Sequence, residues 1–104
     1  MSRVTVLVTY RPKKGKERAF HAILERHWPA LAAARLVTRE RSRIWRAKDK
    51  RTRRIHFVEL FSWKDARASG AAHRMPEVLA VWRPMEPLLE SMEIAEVEEL
   101  GGPA

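Results

Sequence analysis

The stretch HFVELFSWKDARASGAAHRMPEVLAVW, residues 56–82, constrains the fold of this chain more than any other part of the sequence. It begins with an apolar strand, residues 56–62, followed by a Trp-Lys-Asp turn. A short Ala-rich helical piece, predicted over Lys64–Ala72, leads to His73, and Pro76 suits the first turn of a second helix. This succession predicts a strand followed by a helical region in two pieces.

The first third of the chain predicts one strand and one helix. Residues 3–10 alternate as a strand does, and residues 16–35 carry a single apolar helical stripe. Pro29 removes an amide donor, so it is expected to kink this helix or divide it near Trp28. His27 lies beside the stripe, where a boundary or core histidine is favoured and a ligand contact is the alternative.

Three further strands follow in the sequence. The second and third are predicted at Leu36–Lys48 and Thr52–Ser62, joined by a polar turn at Asp49–Arg51. The fourth is predicted at Met92–Leu100, after a last helix whose apolar stripe consists of Val78, Trp82, Met85 and Leu89. The chain therefore alternates as strand, helix, strand, strand, helix, strand.

This order predicts an α+β fold of the ferredoxin-like type, β-α-β-β-α-β. Right-handed crossovers would form a four-stranded antiparallel sheet with helices on one face. The opposite face would still carry apolar side chains such as Val58 and Leu60, so pairing with a second copy as a homodimer is expected. We predict one domain at residues 1–100 and a flexible C-terminal tail at residues 101–104.

The pattern of strand, Trp63, charged turn, Ala-Ala-His73, Pro-Glu-Val and Trp82 resembles a known family. It is similar to the antibiotic-biosynthesis-monooxygenase-like branch of the dimeric α+β barrel superfamily, in which the sheets of two subunits close into a barrel. The resemblance implies a cavity-forming homodimer that needs no cofactor and takes an apolar, aromatic or quinone-like small molecule. Haem-degrading members of the superfamily use an Asn on the first strand and a His on the later helix. This chain has no Asn on its first strand and has Trp82 where the haem-ligating His is expected, so haem degradation is disfavoured.

Five residues are candidates for the site. Glu59 and His73 are the candidate catalytic residues, and Tyr10, Trp63 and Trp82 are the candidate ligand contacts, although Trp82 is expected mainly in the core. Glu59 is a carboxylate in the middle of an aromatic strand face, so it needs a partner or must become neutral. It is either a general base or polar anchor in a cavity, or half of a buried pair with an arginine, and the pair is favoured.

Two functions fit this set of residues. In an oxygenase without a cofactor, the substrate reacts with O₂ after losing a proton, so the protein supplies a base and stabilises the developing anion. A non-catalytic binding or regulatory protein with the same cavity is the alternative.

Composition excludes several classes of site. The chain has no cysteine, so disulfides, zinc-thiolate sites and thiol nucleophiles are excluded, and its four histidines lack the spacing of a metal site. No signal-peptide pattern and no membrane-spanning apolar run is found, which predicts a cytoplasmic protein without membrane association. Asn and Gln are also absent, a composition associated with thermophilic proteins.

The net charge of +8 is concentrated in the predicted hairpin at residues 39–54. Its basic residues are Arg39, Arg41, Arg43, Arg46, Lys48, Lys50, Arg51, Arg53 and Arg54. The first three share strand parity with Trp45, so they are expected on one solvated or partner-facing side. Phosphates would be attracted to such a ribbon, but no nucleic-acid motif accompanies it, so an ordinary charged edge or subunit contact is favoured over nucleic acid.

Overall fold

The computed structural model describes residues 2–101. Met1 and residues 102–104 lie outside this range, so the predicted tail at 101–104 falls almost entirely outside the described part of the chain.

The described residues form the predicted succession of elements. These are β1 (Val4–Pro12), α1 (Glu17–Leu24), α2 (His27–Ala33), β2 (Arg43–Lys48), β3 (Ile55–Trp63), α3 (Ala68–Ala72), α4 (Pro76–Met85), a 3-10 turn (Glu86–Leu88) and β4 (Leu89–Glu96). The strands form one antiparallel sheet in the order β2-β3-β1-β4. The predicted ferredoxin-like α+β fold with a four-stranded antiparallel sheet is therefore confirmed.

The two central strands place the core on one face of the sheet. Val8 of β1 pairs with Glu59 of β3, and their alternate neighbours point the same way, since side chains alternate along a strand. On this face, the buried side chains are Val6, Val8, Tyr10, Phe57, Glu59, Phe61 and Trp63. Helices α1, α2 and α4 cover them with Phe20, Leu24, Leu31 and Val78, all fully buried.

The first helical region is divided, as Pro29 predicts. Helix α1 ends at Leu24, and α2 begins at His27 after a short turn. Pro29 is the third residue of α2, where a backbone N–H has no partner within the helix, so its missing donor costs nothing there. The division turns His27 inward, and its side chain is buried.

The predicted strand Leu36–Lys48 is too long. Only Val37 forms a bridge, to Trp63, and the chain rejoins the sheet at Arg43. Between these points Arg41 turns toward α2, where its guanidinium carbon lies 5.3 Å from the centre of the Trp28 ring. A cation over an aromatic face is an attractive contact, so Arg41 leaves the expected row of Arg39, Arg41 and Arg43. Arg43 stays beside Trp45, with its guanidinium carbon 4.8 Å from the ring centre.

Two other strand boundaries also differ from the prediction. The third strand begins at Ile55 instead of Thr52, because Asp49 Oδ1 accepts hydrogen bonds from two backbone N–H groups in the loop, those of Arg51 and Thr52. These bonds lower the pKa of the exposed Asp49 carboxyl group. The fourth strand runs from Leu89 to Glu96 instead of Met92–Leu100, so Leu89 belongs to the sheet and not to the last helix.

The other face of the sheet is not covered by any helix of the described chain. Leu7, Val58 and Leu60 lie there half-buried, and Trp45 of the edge strand β2 is 43% exposed. An apolar sheet face without a covering layer is what the expected face-to-face homodimer would bury. The homodimer itself stays a prediction.

Candidate active site

A cavity of about 460 Å³ lies between the sheet and α4. Strands β1, β3 and β4 form its floor, and α4 with the 3-10 turn forms one wall. The lining residues are Val6, Val8, Tyr10, His27, Phe61, Trp63, Ser69, His73, Trp82, Met85, Glu86, Leu89, Glu90, Ser91, Met92 and Ile94. Met92 and Ile94 are 49% and 62% exposed, so the cavity is open along β4. Its volume suits a small organic molecule.

Aromatic rings form much of the lining. Phe61 and Trp63 meet edge to face with ring centres 5.1 Å apart, and both rings are buried in the sheet. Trp82 of α4 lies across from them and is half-buried. Flat, apolar walls of this kind favour a planar ring as the ligand, because stacked and edge-on contacts stabilise aromatic pairs.

Glu59 is fully buried beneath this cavity, and its carboxylate joins two strands and a helix. Its Oε1 accepts a hydrogen bond of 2.7 Å from the Tyr10 hydroxyl and lies 2.8 Å from Nδ1 of His27. Its Oε2 has no hydrogen-bond partner among residues 2–101. The expected arginine pair is wrong, because the division of the first helical region brings His27 over β3 and leaves the arginines outside. The other expectation, a general base or polar anchor in a cavity, stays a prediction, and Glu59 itself does not line the cavity.

The hydrogen bonds of His27 define which of its nitrogens carries the proton. The Trp82 indole N–H lies 2.8 Å from His27 Nε2 and can only donate, so Nε2 must accept. Nδ1 then carries the proton and donates a hydrogen bond to Oε1 of Glu59. His27 is therefore a neutral imidazole, oriented by a buried carboxylate, with its accepting nitrogen at the cavity wall.

Tyr10 completes this network from β1. Burial raises the pKa of its hydroxyl well above the ordinary value of 10.0, and the negative charge of Glu59 and the hydrogen bond to that carboxylate raise it further. Tyr10 is therefore held as a hydroxyl donor to Glu59. The connected series Trp82–His27–Glu59–Tyr10 contains three residues that line the cavity and one beneath it.

The structure brings the predicted site residues into one region. Tyr10, Trp63, Trp82 and His73 all line the cavity, whereas Glu59 reaches it only through Tyr10 and His27. His73 is exposed at the rim, with its ring centre 4.8 Å from that of Trp82. Their roles in binding or catalysis stay predictions.

His27 is the main residue that sequence reasoning undervalued. Its position beside the apolar stripe of the first helical region favours a core histidine, and it is indeed buried. The contact with Glu59 joins residues 32 positions apart, which periodicity cannot show. The sequence did carry one signal: Glu59 and His27 are polar residues on or beside apolar faces, and each needs a hydrogen-bond partner when it is buried.

The charge of the cavity differs from that of the whole chain. Although the net charge is +8, the described residues lining the cavity include no Lys and no Arg. Their carboxylates are Glu86 and Glu90, and the charge of Glu59 lies directly below. Most basic side chains are elsewhere, but Arg54, just before β3, pairs with Glu90 at 2.9 Å and offsets its charge.

Within residues 2–101, His, Asp and Glu side chains form no group of three or more that could hold a metal ion. No helix in that same range has both the length and the apolar character needed to cross a membrane.

Comparison with known proteins finds solved structures that are similar to this chain. No family model and no curated protein matches this sequence. SnoaB, a cofactor-independent oxygenase from Streptomyces nogalater, is similar with a TM-score of 0.70 at 14% identity, covering 99% of this chain and 100% of that one. PA3566 from Pseudomonas aeruginosa is similar with a TM-score of 0.71 at 18% identity, covering 97% of each chain.

A third similar structure is a candidate antibiotic biosynthesis monooxygenase from Chloroflexus aurantiacus J-10-fl. Its TM-score is 0.65 at 19% identity, with 99% of this chain and 98% of that chain covered. These matches span nearly the whole chain, and they confirm that its fold resembles that of antibiotic-biosynthesis-monooxygenase-like proteins, as predicted. At such identities the likeness establishes the fold, and activity has to be argued from the site.

Proposed function

We propose that this protein binds an aromatic or quinone-like small molecule in the cavity and oxygenates it with O₂, without a cofactor. The observation that carries this proposal is the neutral His27 at the wall of an aromatic cavity, oriented through Nδ1 by the buried Glu59 carboxylate. A histidine held in this way is a suitable general base, because the carboxylate fixes its tautomer and stabilises the imidazolium that forms.

The chemistry needs a substrate that is itself able to react with O₂. A hydroxylated aromatic compound loses its O–H proton to the base, and the resulting electron-rich anion reduces O₂. Conversion of a phenol to a quinone then takes up one O₂ and releases one water. The protein contributes proton transfer and stabilisation of the anion, for which Tyr10, His27 and the Trp82 indole are the available groups.

Two lines support an oxygenase over other enzymes. The aromatic walls formed by Phe61, Trp63 and Trp82 fit a planar substrate, and one protein of the same fold, SnoaB, is a cofactor-independent oxygenase. In this assignment His27 replaces His73 as the leading base, with Glu59 as the residue that positions it. His73 at the rim is left as a ligand contact or a second base.

A non-catalytic binding protein is the second candidate, and one observation favours it. The accepting nitrogen of His27 is already bonded to Trp82, so in the described structure the cavity has no free buried base. A carrier or regulatory protein would need only the aromatic walls.

Oxygen uptake separates the two candidates. Naphthols and hydroquinones would be added to the full chain, and O₂ consumption and products would be followed against heat-treated protein. We expect uptake that falls about 10²- to 10⁴-fold in His27→Phe and Glu59→Gln, the usual contribution of a positioned base. Tight ligand binding with no uptake above background would instead establish the binding protein and exclude the oxygenase for those compounds.

A further inference from the structure

The lining of the cavity restricts the ligand further than its aromatic walls do. We infer that the ligand is a neutral aromatic hydroxyl compound whose O–H takes the place of the Trp82 indole N–H as the donor to His27 Nε2. This inference rests on the proposed binding of an aromatic compound in the cavity, and it names the class of compound and the contact that selects it.

The first step is the hydrogen-bonding character of the wall. Because Nδ1 of His27 donates to Glu59, Nε2 presents a lone pair and can bind only a donor. The Trp82 N–H now fills that position at 2.8 Å. A ligand oxygen that carries a proton can replace the indole as the donor to this nitrogen, whereas an ether, a carbonyl or an ionised oxygen cannot, so such a ligand gains no hydrogen bond there.

The second step is that Trp82 is placed where it can be exchanged. Its ring is half-buried on α4, at the cavity wall, and it also contacts the exposed His73 ring at 4.8 Å between centres. When the hydrogen bond from the Trp82 indole to His27 is lost, the Trp82 side chain can move, because it already borders solvent. The indole N–H can then donate a hydrogen bond to the ligand oxygen, so that both His27 and Trp82 hold this oxygen.

The third step is charge. The described lining residues include no Lys or Arg, and the carboxylates of Glu86 and the underlying Glu59 give the site negative charge, whereas the charge of Glu90 is offset by Arg54, 2.9 Å away. The free-energy cost of removing an anionic ligand from water would not be offset here by a Lys or Arg side chain of the lining. The net charge of +8 would suggest an anion, but the arrangement of the cavity excludes carboxylate-bearing compounds and selects neutral ones.

The same contact suits the proposed reaction. When the ligand O–H bond breaks, its proton forms the new N–H bond at His27 Nε2, and the electron pair stays on the ligand oxygen. That oxygen then accepts hydrogen bonds from both the imidazolium N–H and the Trp82 indole N–H. Glu59 compensates the positive charge on His27.

Three ligands with one ring system test the inference on the unmodified full chain. 2-Naphthol supplies a neutral O–H, 2-methoxynaphthalene has the same ring and oxygen without the proton, and 2-naphthoate adds a negative charge. Binding would be measured by calorimetry under nitrogen, so that no oxidation intervenes. We expect 2-naphthol to bind about tenfold or more tightly than either other compound, the value of one buried hydrogen bond.

Nuclear magnetic resonance would locate the exchange. The four Trp residues give separate indole N–H signals, and Trp82→Phe assigns one of them. We expect 2-naphthol to shift the Trp82 signal strongly, with those of Trp28 and Trp45 unchanged. Trp82→Phe removes the indole N–H both as the competing donor to His27 and as a donor to the ligand oxygen, so it should retain the preference for 2-naphthol over 2-methoxynaphthalene, whereas His27→Phe should lose that preference.

The outcomes are distinct. Equal affinity for 2-naphthol and 2-methoxynaphthalene, or tight binding of 2-naphthoate, would overturn the inference even if O₂ uptake were found. The predicted order of affinities without any O₂ uptake would support the inference and remove the oxygenase proposal. The ligand series on the unmodified chain decides this without relying on any variant to fold.

Discussion

The hydroxyl of Tyr10 on β1 donates a 2.7 Å hydrogen bond to Oε1 of Glu59 on the neighbouring strand β3. The residue directly opposite Glu59 is Val8, so Tyr10 is its diagonal neighbour on the same face of the sheet. A long aromatic side chain can span that diagonal distance. The bond ties the two central strands together below the cavity and supplies one of the two donors that hold a buried carboxylate.

The ionisation of Tyr10 can be followed directly, because it is the only tyrosine in the chain. Burial and the charge of Glu59 raise its pKa above 10.0 in the folded state, so the folded protein binds the proton more tightly than the unfolded chain. The stability that this difference in pKa gives to the folded state is fully present below pH 10. It is lost as the pH rises from there through the pKa of Tyr10 in the folded protein. We expect tyrosinate absorbance to appear only well above pH 10.

The control for this titration is unfolding followed in parallel. Tyr10→Phe should remove the alkaline loss of stability that belongs to this residue, seen as a flatter dependence of the urea midpoint on pH above 10. A tyrosinate signal at the pH of a free tyrosine, in protein that is still folded, would contradict the buried hydrogen bond.

Tyr10→Phe should also destabilise the fold at neutral pH. The substitution keeps the ring against Phe20 but leaves the buried Glu59 with His27 as its one remaining donor. Loss of a partner of a buried carboxylate predicts a decrease of about 1–3 kcal/mol in the free energy of unfolding. A double-mutant cycle with Glu59→Gln isolates the pair, and a coupling energy near zero would show that the bond contributes nothing.

The tautomer of His27 is a separate prediction. Since Nε2 accepts from Trp82 and Nδ1 faces Glu59, nitrogen resonance near neutral pH should show a protonated Nδ1 and an unprotonated Nε2. Trp82→Phe should preserve this tautomer, because Glu59 still fixes it, whereas Glu59→Leu should not. Protonation on Nε2 in the unmodified protein would be incompatible with the Trp82 contact.

Much of the fold could be predicted from local patterns. Alternation placed Val6, Val8 and Tyr10 on one face of β1, and Pro29 marked the division of the first helical region. Both are consequences of side-chain direction and backbone chemistry within a few residues. The second strand was predicted too long, because Arg41 leaves the sheet for Trp28, a contact between residues 13 positions apart that no local period encodes.

The site could be predicted only in part. Glu59 stood out because a carboxylate on an aromatic face needs a partner, and burial with that partner is what the structure provides. The partner was expected to be an arginine, since arginines are abundant in the sequence. His27 takes that place because the turn between α1 and α2 aims it at β3. The identity of such a partner depends on how helices pack on the sheet, which sequence spacing does not determine.

The uncovered face of the sheet gives the last prediction, a homodimer that depends on Leu60. This side chain is half-buried beside Leu7, directly opposite it on β1, with no helix above either residue in the described chain. Leu60→Glu would place two like charges in the symmetric contact, once from each subunit. Like charges in a buried contact cost several kcal/mol, so we expect the dimer dissociation constant to rise about a hundredfold or more.

The matched control is Leu100→Glu, the same substitution at a position that is 81% exposed and lies after β4. Sedimentation velocity over a range of protein concentrations would measure the dissociation constants of both variants and the unmodified chain. We expect Leu100→Glu to remain dimeric and Leu60→Glu to sediment as a monomer with unchanged circular dichroism. A dimer that tolerates Leu60→Glu would mean that the sheets do not pair through this face, because no apolar contact there can accept two carboxylates without loss of affinity.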